Sequence, residues 1–179
     1  MYKNVINKGV IIGMVIFGLS ECALASSVTS VTKVKQVEAV GQNYYAIQKI
    51  ENPDVELQLA AVKQSEKALR FIKNPAEEVQ IAAVTKSYYA LRYIKNPSKE
   101  VQLAAIKQSY HAIKYIKEPV EEAQLAAVKQ GHDIIKYIKD PSKEVQLAAV
   151  EQSHDAIKFI KNPSPEAMKL AYQKIMEAQ

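Results

Sequence analysis

The sequence predicts an all-α protein, a short right-handed α-solenoid (superhelix) built from 22-residue repeats of two helices. Six prolines recur every 22 residues, and the same pattern of residues surrounds each one. Within each repeat, an alanine-rich segment is apolar on two opposed sides when it is drawn as a helix. The first and last repeats depart from the regular middle ones, as the caps of a solenoid do. The prolines are Pro53, Pro75, Pro97, Pro119, Pro141 and Pro163.

The first 25 residues lie outside the repeat and have the layout of a secretory signal peptide. Lys3 and Lys8 precede an apolar stretch over residues 9–20, and Ala23-Leu24-Ala25 offers a small-residue cleavage site. This apolar stretch is shorter than the ~20 residues that a membrane-spanning helix needs. We therefore expect cleavage after Ala25 and export of the protein, either to a periplasm or as a secreted protein.

Two alternatives remain open for this segment. Leu19-Ser20-Glu21-Cys22 loosely resembles a bacterial lipobox, in which Cys22 would be acylated, although Glu21 stands where such boxes carry a small residue. The other alternative is an uncleaved membrane anchor. Cleavage after Ala25 would change the net charge from +5 to +4 and would remove the single cysteine, so that packing alone would stabilise the mature protein.

The repeats can be laid out in register as numbered units. A linker at residues 26–29 leads into unit 1, residues 30–51, which is a degenerate N-terminal capping repeat. A partial unit, residues 162–179, closes the sequence as a C-terminal capping helix. The five full units between them, numbered 2 to 6, are residues 52–73, 74–95, 96–117, 118–139 and 140–161.

Each full unit is predicted to contain two short helices. The sequence allows two registers for the first helix, with either the proline in the first turn or the residue after it as N-cap, as Ser98, Ser142 and Ser164 suggest. A glutamate then falls in the first turn, where the helix dipole favours negative charge. The second helix, of about eight residues, starts after a small residue: Ser65, Ser87, Ser109, Gly131 or Ser153.

The first helix of unit 4 shows why a stack is expected. Val101, Ala104 and Ala105 cluster on one side of this helix, while Leu103 and Ile106 lie on the other. Two apolar sides require neighbours on both, which is the environment of an inner element. A glutamine recurs between these sides, and the sequence leaves open whether it hydrogen-bonds between units or faces water. These glutamines are Gln36, Gln58, Gln80, Gln102, Gln124 and Gln146.

The second helices carry a predicted surface that we call the basic ridge. Their exposed sides combine two basic residues with one tyrosine or histidine in units 3 to 6, while Glu66 takes the first position in unit 2. Stacked at ~8–10 Å per helix, these residues would form one positive surface. The ridge consists of Arg70, Lys73, Tyr88, Arg92, Lys95, Tyr110, Lys114, Lys117, His132, Lys136, Lys139, His154, Lys158 and Lys161.

Two interpretations of the basic ridge remain open. Basic residues near helix C-termini complement the dipole and keep a repeat protein soluble. Alternatively, the ridge docks an acidic protein, an anionic glycan or a lipid headgroup, since its first position varies between units and tyrosine beside lysine or arginine is a common binding composition. Export argues against nucleic acid as the partner. The recurring aromatics are predicted to pack between units; they are Phe71, Tyr93, Tyr115, Tyr137 and Phe159.

The sequence offers little for catalysis, and we expect neither enzymatic activity nor a cofactor. The mature chain would have no cysteine nucleophile and no glycine-rich phosphate loop. His132 and His154 occupy equivalent positions and suggest zinc or copper, but exposed, variable positions explain the same residues. Ser153, His154 and Asp155 do not suit a catalytic triad because adjacent residues of a helix do not face one another.

The pattern Glu-Val-x-Leu-Ala-Ala-Val-Lys-Gln, followed by Ala-Ile-x-Tyr-Ile, resembles short α-helical repeats of bacterial and large-virus proteins. It is also similar to leucine-rich repeat variants and, more distantly, to HEAT-like repeats. The resemblance covers residues 30–179 and implies a right-handed superhelical binding scaffold without catalytic residues. A spacer that self-associates end to end through its caps is the other function left open. In that case the capping residues Leu170, Tyr172, Ile175 and Met176 would cover the last core or meet a second copy.

Overall fold

The computed structural model describes residues 21–178, with side chains from residue 32 onward. In this part of the chain, α-helices alternate with 3₁₀ helices and no strand is present. Successive α-helices pack on one another, and so do successive 3₁₀ helices, which gives the stack two layers. The all-α, solenoid-like fold that the sequence predicts is thereby confirmed.

Each unit contributes one α-helix followed by one 3₁₀ helix, and the partial unit contributes an α-helix alone. The α-helices are α1 (Glu21–Gln42), α2 (Val55–Gln64), α3 (Glu77–Lys86), α4 (Lys99–Gln108), α5 (Glu121–Gln130), α6 (Lys143–Gln152) and α7 (Pro165–Glu177). The 3₁₀ helices of units 1 to 6 are Tyr44–Lys49, Glu66–Phe71, Tyr88–Tyr93, Tyr110–Tyr115, His132–Tyr137 and His154–Phe159.

The second helix of each unit is therefore shorter and more tightly wound than the eight residues predicted. It has six residues, and it ends at an extended isoleucine such as Ile116, whose N–H bonds to the Ile113 carbonyl. The next proline follows three residues later, at Pro119, and leaves no room for further turns. A segment of six residues cannot sustain an α-helix by itself, so its packing against neighbours decides its form.

The N-terminal helix α1 differs from the repeated ones. It has 22 residues, whereas each of α2 to α6 has 10. It includes residues 26–29, which the sequence assigns to a linker, and Ala25, after which we predict cleavage. The signal-peptide prediction falls mainly on residues 1–20, outside the described residues, and stays a prediction. None of the helices within residues 21–178 is long and apolar enough to cross a membrane.

The residue after each repeated proline is the N-cap of the following α-helix, which decides between the two registers. Ser98 Oγ accepts a hydrogen bond from the Val101 N–H at 3.3 Å. Asp54, Ser142 and Ser164 cap their helices in the same way, whereas Ala76 and Val120 stand at this position without a side-chain acceptor. The repeated proline thus lies just outside the helix, where it holds the chain extended.

The core is one continuous cluster that runs between the two layers. In unit 4, Val101 and Ala105 of α4 are fully buried, and Ala112 and Ile113 of the 3₁₀ helix close the opposite side. Leu103, on the other side of α4, is half-buried and packs against the same cluster. Neighbours therefore contact both sides of the helix, but the side with Leu103 stays partly exposed.

The recurring glutamine is part of this interior and links neighbouring units. Gln102 is 4% exposed; its Nε2 donates to the Pro97 carbonyl at 3.1 Å, and its Oε1 accepts from the Val120 N–H at 2.9 Å. Gln58 and Gln146 form the same two bonds in units 2 and 6. These three glutamines therefore hydrogen-bond between units, whereas Gln80 and Gln124 donate only to the proline carbonyl of their own unit.

Candidate binding surface: the basic ridge

The structure places the basic ridge on the 3₁₀ helices and on the joints that follow them. All ten of its arginines and lysines are exposed. The four residues at its first position are half-buried: Tyr88, Tyr110, His132 and His154. The ridge is thus a surface of basic side chains, and its tyrosines and histidines lie deeper than the spacing of an α-helix suggests.

The 3₁₀ geometry explains this difference. Residues three apart share a face of a 3₁₀ helix, so the spacing i, i+4, i+7 does not follow one side of it. Tyr88 and Tyr110 pack against the core cluster instead. The Tyr110 ring lies 2.6 Å from the place that a Cβ on Gly131 would occupy. Tyr110 is therefore a contact between units 4 and 5, and its ring fills the space that a side chain at residue 131 would need.

In units 3 to 5, the middle basic residue of the ridge lies over an aromatic ring of the next unit. Arg92 Cζ is 5.0 Å from the centre of the Tyr115 ring, and the guanidinium also donates to Tyr115 Oη at 3.3 Å. Lys114 Nζ lies 4.1 Å from the centre of the Tyr137 ring. Lys136 Nζ lies 5.2 Å from the centre of the Phe159 ring. Cations and rings thus alternate along the stack, and each such contact contributes about 0.5–1 kcal/mol at an exposed site.

Several rings are exposed beside these cations. Tyr137 and Phe159 are 48% and 38% exposed, so they are only partly used for the inter-unit packing that the sequence predicts. Tyr89, which sequence reasoning left out of the ridge, is 43% exposed and lies 5.0 Å from Arg92 Cζ. It stacks on Tyr88, and its hydrogen bond, together with burial, raises the pKa of Tyr88 to about 12. The signal that marks Tyr89 is the paired Tyr88-Tyr89 itself.

Two basic residues of the ridge pair with carboxylates of their own 3₁₀ helices. Lys136 Nζ lies 3.0 Å from Asp133 Oδ2, and Lys158 pairs with Asp155 in the same way. The hydrogen bonds from these lysines hold the pKa of both aspartates below its ordinary value. Among the described residues, no carboxylate forms an ion pair with the other eight: Arg70, Lys73, Arg92, Lys95, Lys114, Lys117, Lys139 and Lys161.

The lysines at the N-terminal ends of the α-helices are paired across units instead. Lys99 Nζ lies 2.5 Å from Glu122 Oε1, and Lys143 Nζ lies 3.5 Å from Glu166 Oε1. Lys33 of α1 reaches both Asp54 and Glu56 of unit 2. These exposed pairs contribute little stability individually. They show, however, that acidic partners are available at one edge of the stack and largely missing along the ridge.

Clefts open between successive units beside the ridge. The cleft between units 5 and 6 has a volume of about 490 Å³ and is lined by Lys139, Lys161, Tyr137, Phe159 and the core-facing Gln146. A second cleft, of about 810 Å³, lies between units 2 and 3 and repeats this lining of two lysines, a ring and a glutamine. Both clefts have room for acidic or aromatic side chains of a partner.

Within the described residues, the histidines of the ridge do not belong to a group of side chains that could hold a metal ion. His154 Nε2 lies 3.7 Å from Asp155 Oδ1. In the part of the chain whose side chains are described, no group of three or more His, Cys, Asp or Glu residues is placed to hold a metal ion.

Comparison with known proteins does not assign the chain to a family. The chain matches no family model, no curated protein and no solved structure. What the structure itself establishes is a set of repeated helix pairs that pack on their neighbours, which is compatible with a helical repeat protein.

Proposed function

We propose that the protein is an exported, non-enzymatic scaffold that binds an acidic protein partner along the basic ridge. The observation that carries the proposal is the combination, on one surface, of exposed aromatic rings with eight basic residues that form no ion pair within the described part of the chain. A role in solubility or in complementing the helix dipole would explain the basic residues of the ridge. Neither role requires aromatic rings between these residues. Cation and ring together offer both charge and apolar area to a partner, and tyrosine and arginine are enriched among residues that dominate binding energy.

The distribution of ion pairs supports units 2 to 4 as the centre of the proposed interface. In units 5 and 6 the middle basic residues, Lys136 and Lys158, are already paired with aspartates. In units 2 to 4 the corresponding residues are Arg70, Arg92 and Lys114, which have no ion pair among the described residues. Arginine also binds carboxylates through two parallel hydrogen bonds. We therefore place the centre of the interface at units 2 to 4.

The first experiment identifies the partner by photo-crosslinking in native extracts. The structure favours position 89 for the photo-reactive residue, because Tyr89 is exposed at the centre of this region. The packed Tyr110 is less suitable because a substitution there would disturb units 4 and 5. Mass spectrometry of the trapped protein then shows whether its contact segment is acidic.

The second experiment measures affinity for the trapped partner with charge-reversed variants. Arg92→Glu with Lys114→Glu should weaken binding at least a hundredfold, since two basic residues of the interface become repulsive. Lys107→Glu with Lys129→Glu is the matched control, because these exposed lysines lie in the last turns of α4 and α5, form no cation–π contact among the described residues and give the same net charge. Equal binding by both double variants, with unchanged circular dichroism, would contradict the proposal.

Anionic glycans and lipid headgroups are the alternative ligands of the same surface. Heparin and phosphatidylglycerol vesicles serve as their probes in the same binding assay. Binding of either probe that is tighter than binding of the trapped protein, and is lost in the ridge variant alone, would replace the protein partner with that class of ligand.

A further inference from the structure

The outer side of α7 carries an apolar stripe that no element within residues 21–178 covers. Met168, Tyr172 and Met176 follow one another at four-residue spacing and are 39%, 70% and 71% exposed. An adjacent side of α7, with Ala167 and Ala171 buried, packs against the α-helix and the 3₁₀ helix of unit 6. Three large apolar side chains exposed in one row on a helix are typical of a docking surface.

The residues of this stripe are unsuited to an ordinary following unit. Met168 occupies the position of the linking glutamine, Gln146, and a thioether cannot replace its two hydrogen bonds, one within its own unit and one to the next. Lys169 occupies the position of Leu147, which packs against the core cluster. A unit docked in the usual register would place a charged lysine where the full units have a half-buried leucine or isoleucine, and so would lose this apolar contact. A head-to-tail continuation of the stack is thus disfavoured.

The charges beside the stripe have a two-fold arrangement. A second row consists of Lys169, Gln173 and Glu177. These three residues line the same surface depression as Tyr172 and Met176. The two charges are each four residues from Gln173, just as the two methionines are each four residues from Tyr172. A second copy of α7 can therefore pack antiparallel, related by a two-fold axis beside Tyr172. Lys169 of each copy would then face Glu177 of the other, and Met168 of each copy would face Met176 of the other.

We propose that α7 is a self-complementary docking helix through which two copies of the protein associate tail to tail. A contact made by one short helix from each copy buries less than about 1,200 Å², the range of weak complexes, so we expect a dissociation constant on the order of 10 μM. The dimer would carry two basic ridges in one particle. An acidic partner with two binding segments could then bind with higher avidity than one ridge allows.

Sedimentation equilibrium of the full chain tests the charge pairing. Lys169→Glu and Glu177→Lys should each weaken the dimer at least tenfold, because each places like charges opposite one another twice. The double variant with both changes should restore the wild-type constant to within about threefold, since the swapped charges again face each other. Lys107→Glu on α4 is the control and should leave the dimer unchanged.

The apolar stripe is tested by Tyr172→Ser, which should leave the protein monomeric at 100 μM with unchanged helicity and melting temperature. A wild-type protein that is monomeric at all concentrations would overturn the proposal. Association that none of the α7 variants alters would also overturn it, because the contact would then lie elsewhere. The ridge variant Arg92→Glu with Lys114→Glu should dimerise normally, so failure of this inference and failure of the proposed function can be told apart.

Discussion

Gln102 accepts a hydrogen bond from the backbone N–H of Val120, the first residue after the proline of the next unit, at 2.9 Å. The amide nitrogen of the same side chain donates to the carbonyl of Pro97 in its own unit. The turns at the prolines leave backbone groups without a helical partner, and such groups need a hydrogen bond when they are buried. One glutamine satisfies a group from each of two successive joints, which explains why an amide side chain recurs in an otherwise apolar interior.

Gln102→Leu is expected to destabilise the protein by about 1–3 kcal/mol, because it leaves a half-buried carbonyl and a half-buried N–H without partners. Gln124→Leu is the matched control in unit 5. Gln124 Nε2 donates to the Pro119 carbonyl, but its Oε1 has no hydrogen-bond partner. Its replacement should therefore cost about 1 kcal/mol less. Urea unfolding of both variants provides the measurement, and equal losses would show that the bond to Val120 contributes nothing.

The regularity of the sequence was sufficient to predict the stack, but not the form of its second layer. A period of 22 residues and two apolar sides on one helix require packed neighbours, whatever the local geometry. The segment from Tyr110 to Tyr115, by contrast, fits an α-helix or a 3₁₀ helix equally well by composition. The two forms rotate side chains by about 100° and 120° per residue, so that after four residues their faces differ by roughly 80°.

This difference in rotation explains which positions of the basic ridge could be predicted from the sequence and which could not. Long basic side chains reach solvent from either helical form, and all ten are exposed as expected. Rings are less tolerant of rotation: Tyr110 packs against unit 5, while Tyr137 and Phe159 are exposed beside the lysines. The burial of the recurring glutamine could not be predicted either. A helical wheel shows that the glutamine lies on a polar strip, but it does not show which neighbouring element covers that strip.

The N-caps offer a test of local stability. Ser98→Ala should cost about 1 kcal/mol, since Ser98 Oγ accepts from the Val101 N–H at the start of α4. The reverse change, Ala76→Ser, should stabilise the protein by about 0.5–1 kcal/mol, because Ala76 occupies the same position in α3 without a side-chain acceptor. Thermal unfolding of the two variants should shift in opposite directions. A loss of stability in Ala76→Ser would mean that this N-cap geometry does not accept serine.

Gly131 and Tyr110 should be energetically coupled. A Cβ at residue 131 would lie 2.6 Å from Tyr110 Cε2, so Gly131→Ala must displace the ring and is expected to cost about 1–2 kcal/mol. In a Tyr110→Ala background the same change should be nearly neutral, and the double-mutant cycle should give about 1 kcal/mol of coupling or more.

Gly41 provides the control for this cycle. It lies in α1, and no atom is within 4 Å of the place of its missing Cβ. Gly41→Ala should therefore stabilise the protein by up to about 1 kcal/mol, as expected where alanine replaces glycine in a helix without steric conflict. If Gly131→Ala were as favourable as Gly41→Ala, the contact with Tyr110 would not constrain residue 131.

Acid should destabilise the protein through its paired carboxylates. The hydrogen bond from the Leu57 N–H, followed by that from Lys33, lowers the pKa of Asp54 below its ordinary value of 3.8. The hydrogen bond from Lys99 lowers that of Glu122. A pKa that is lower in the folded state stabilises the protein above the unfolded value, and this stabilisation is lost as the pH falls through the folded value. The melting temperature should thus be constant from pH 7 to about pH 5 and should fall below about pH 4.

Asp54→Asn isolates the contribution of the Asp54 charge, because asparagine keeps the capping oxygen for the Leu57 N–H but does not titrate in this range. The variant should melt slightly below the wild type at pH 7, since Lys33 loses an exposed ion pair that salt also weakens. Between about pH 4 and pH 2, its melting temperature should fall less than that of the wild type. Parallel pH profiles for the two proteins would show that Asp54 has the same pKa in the folded and unfolded states.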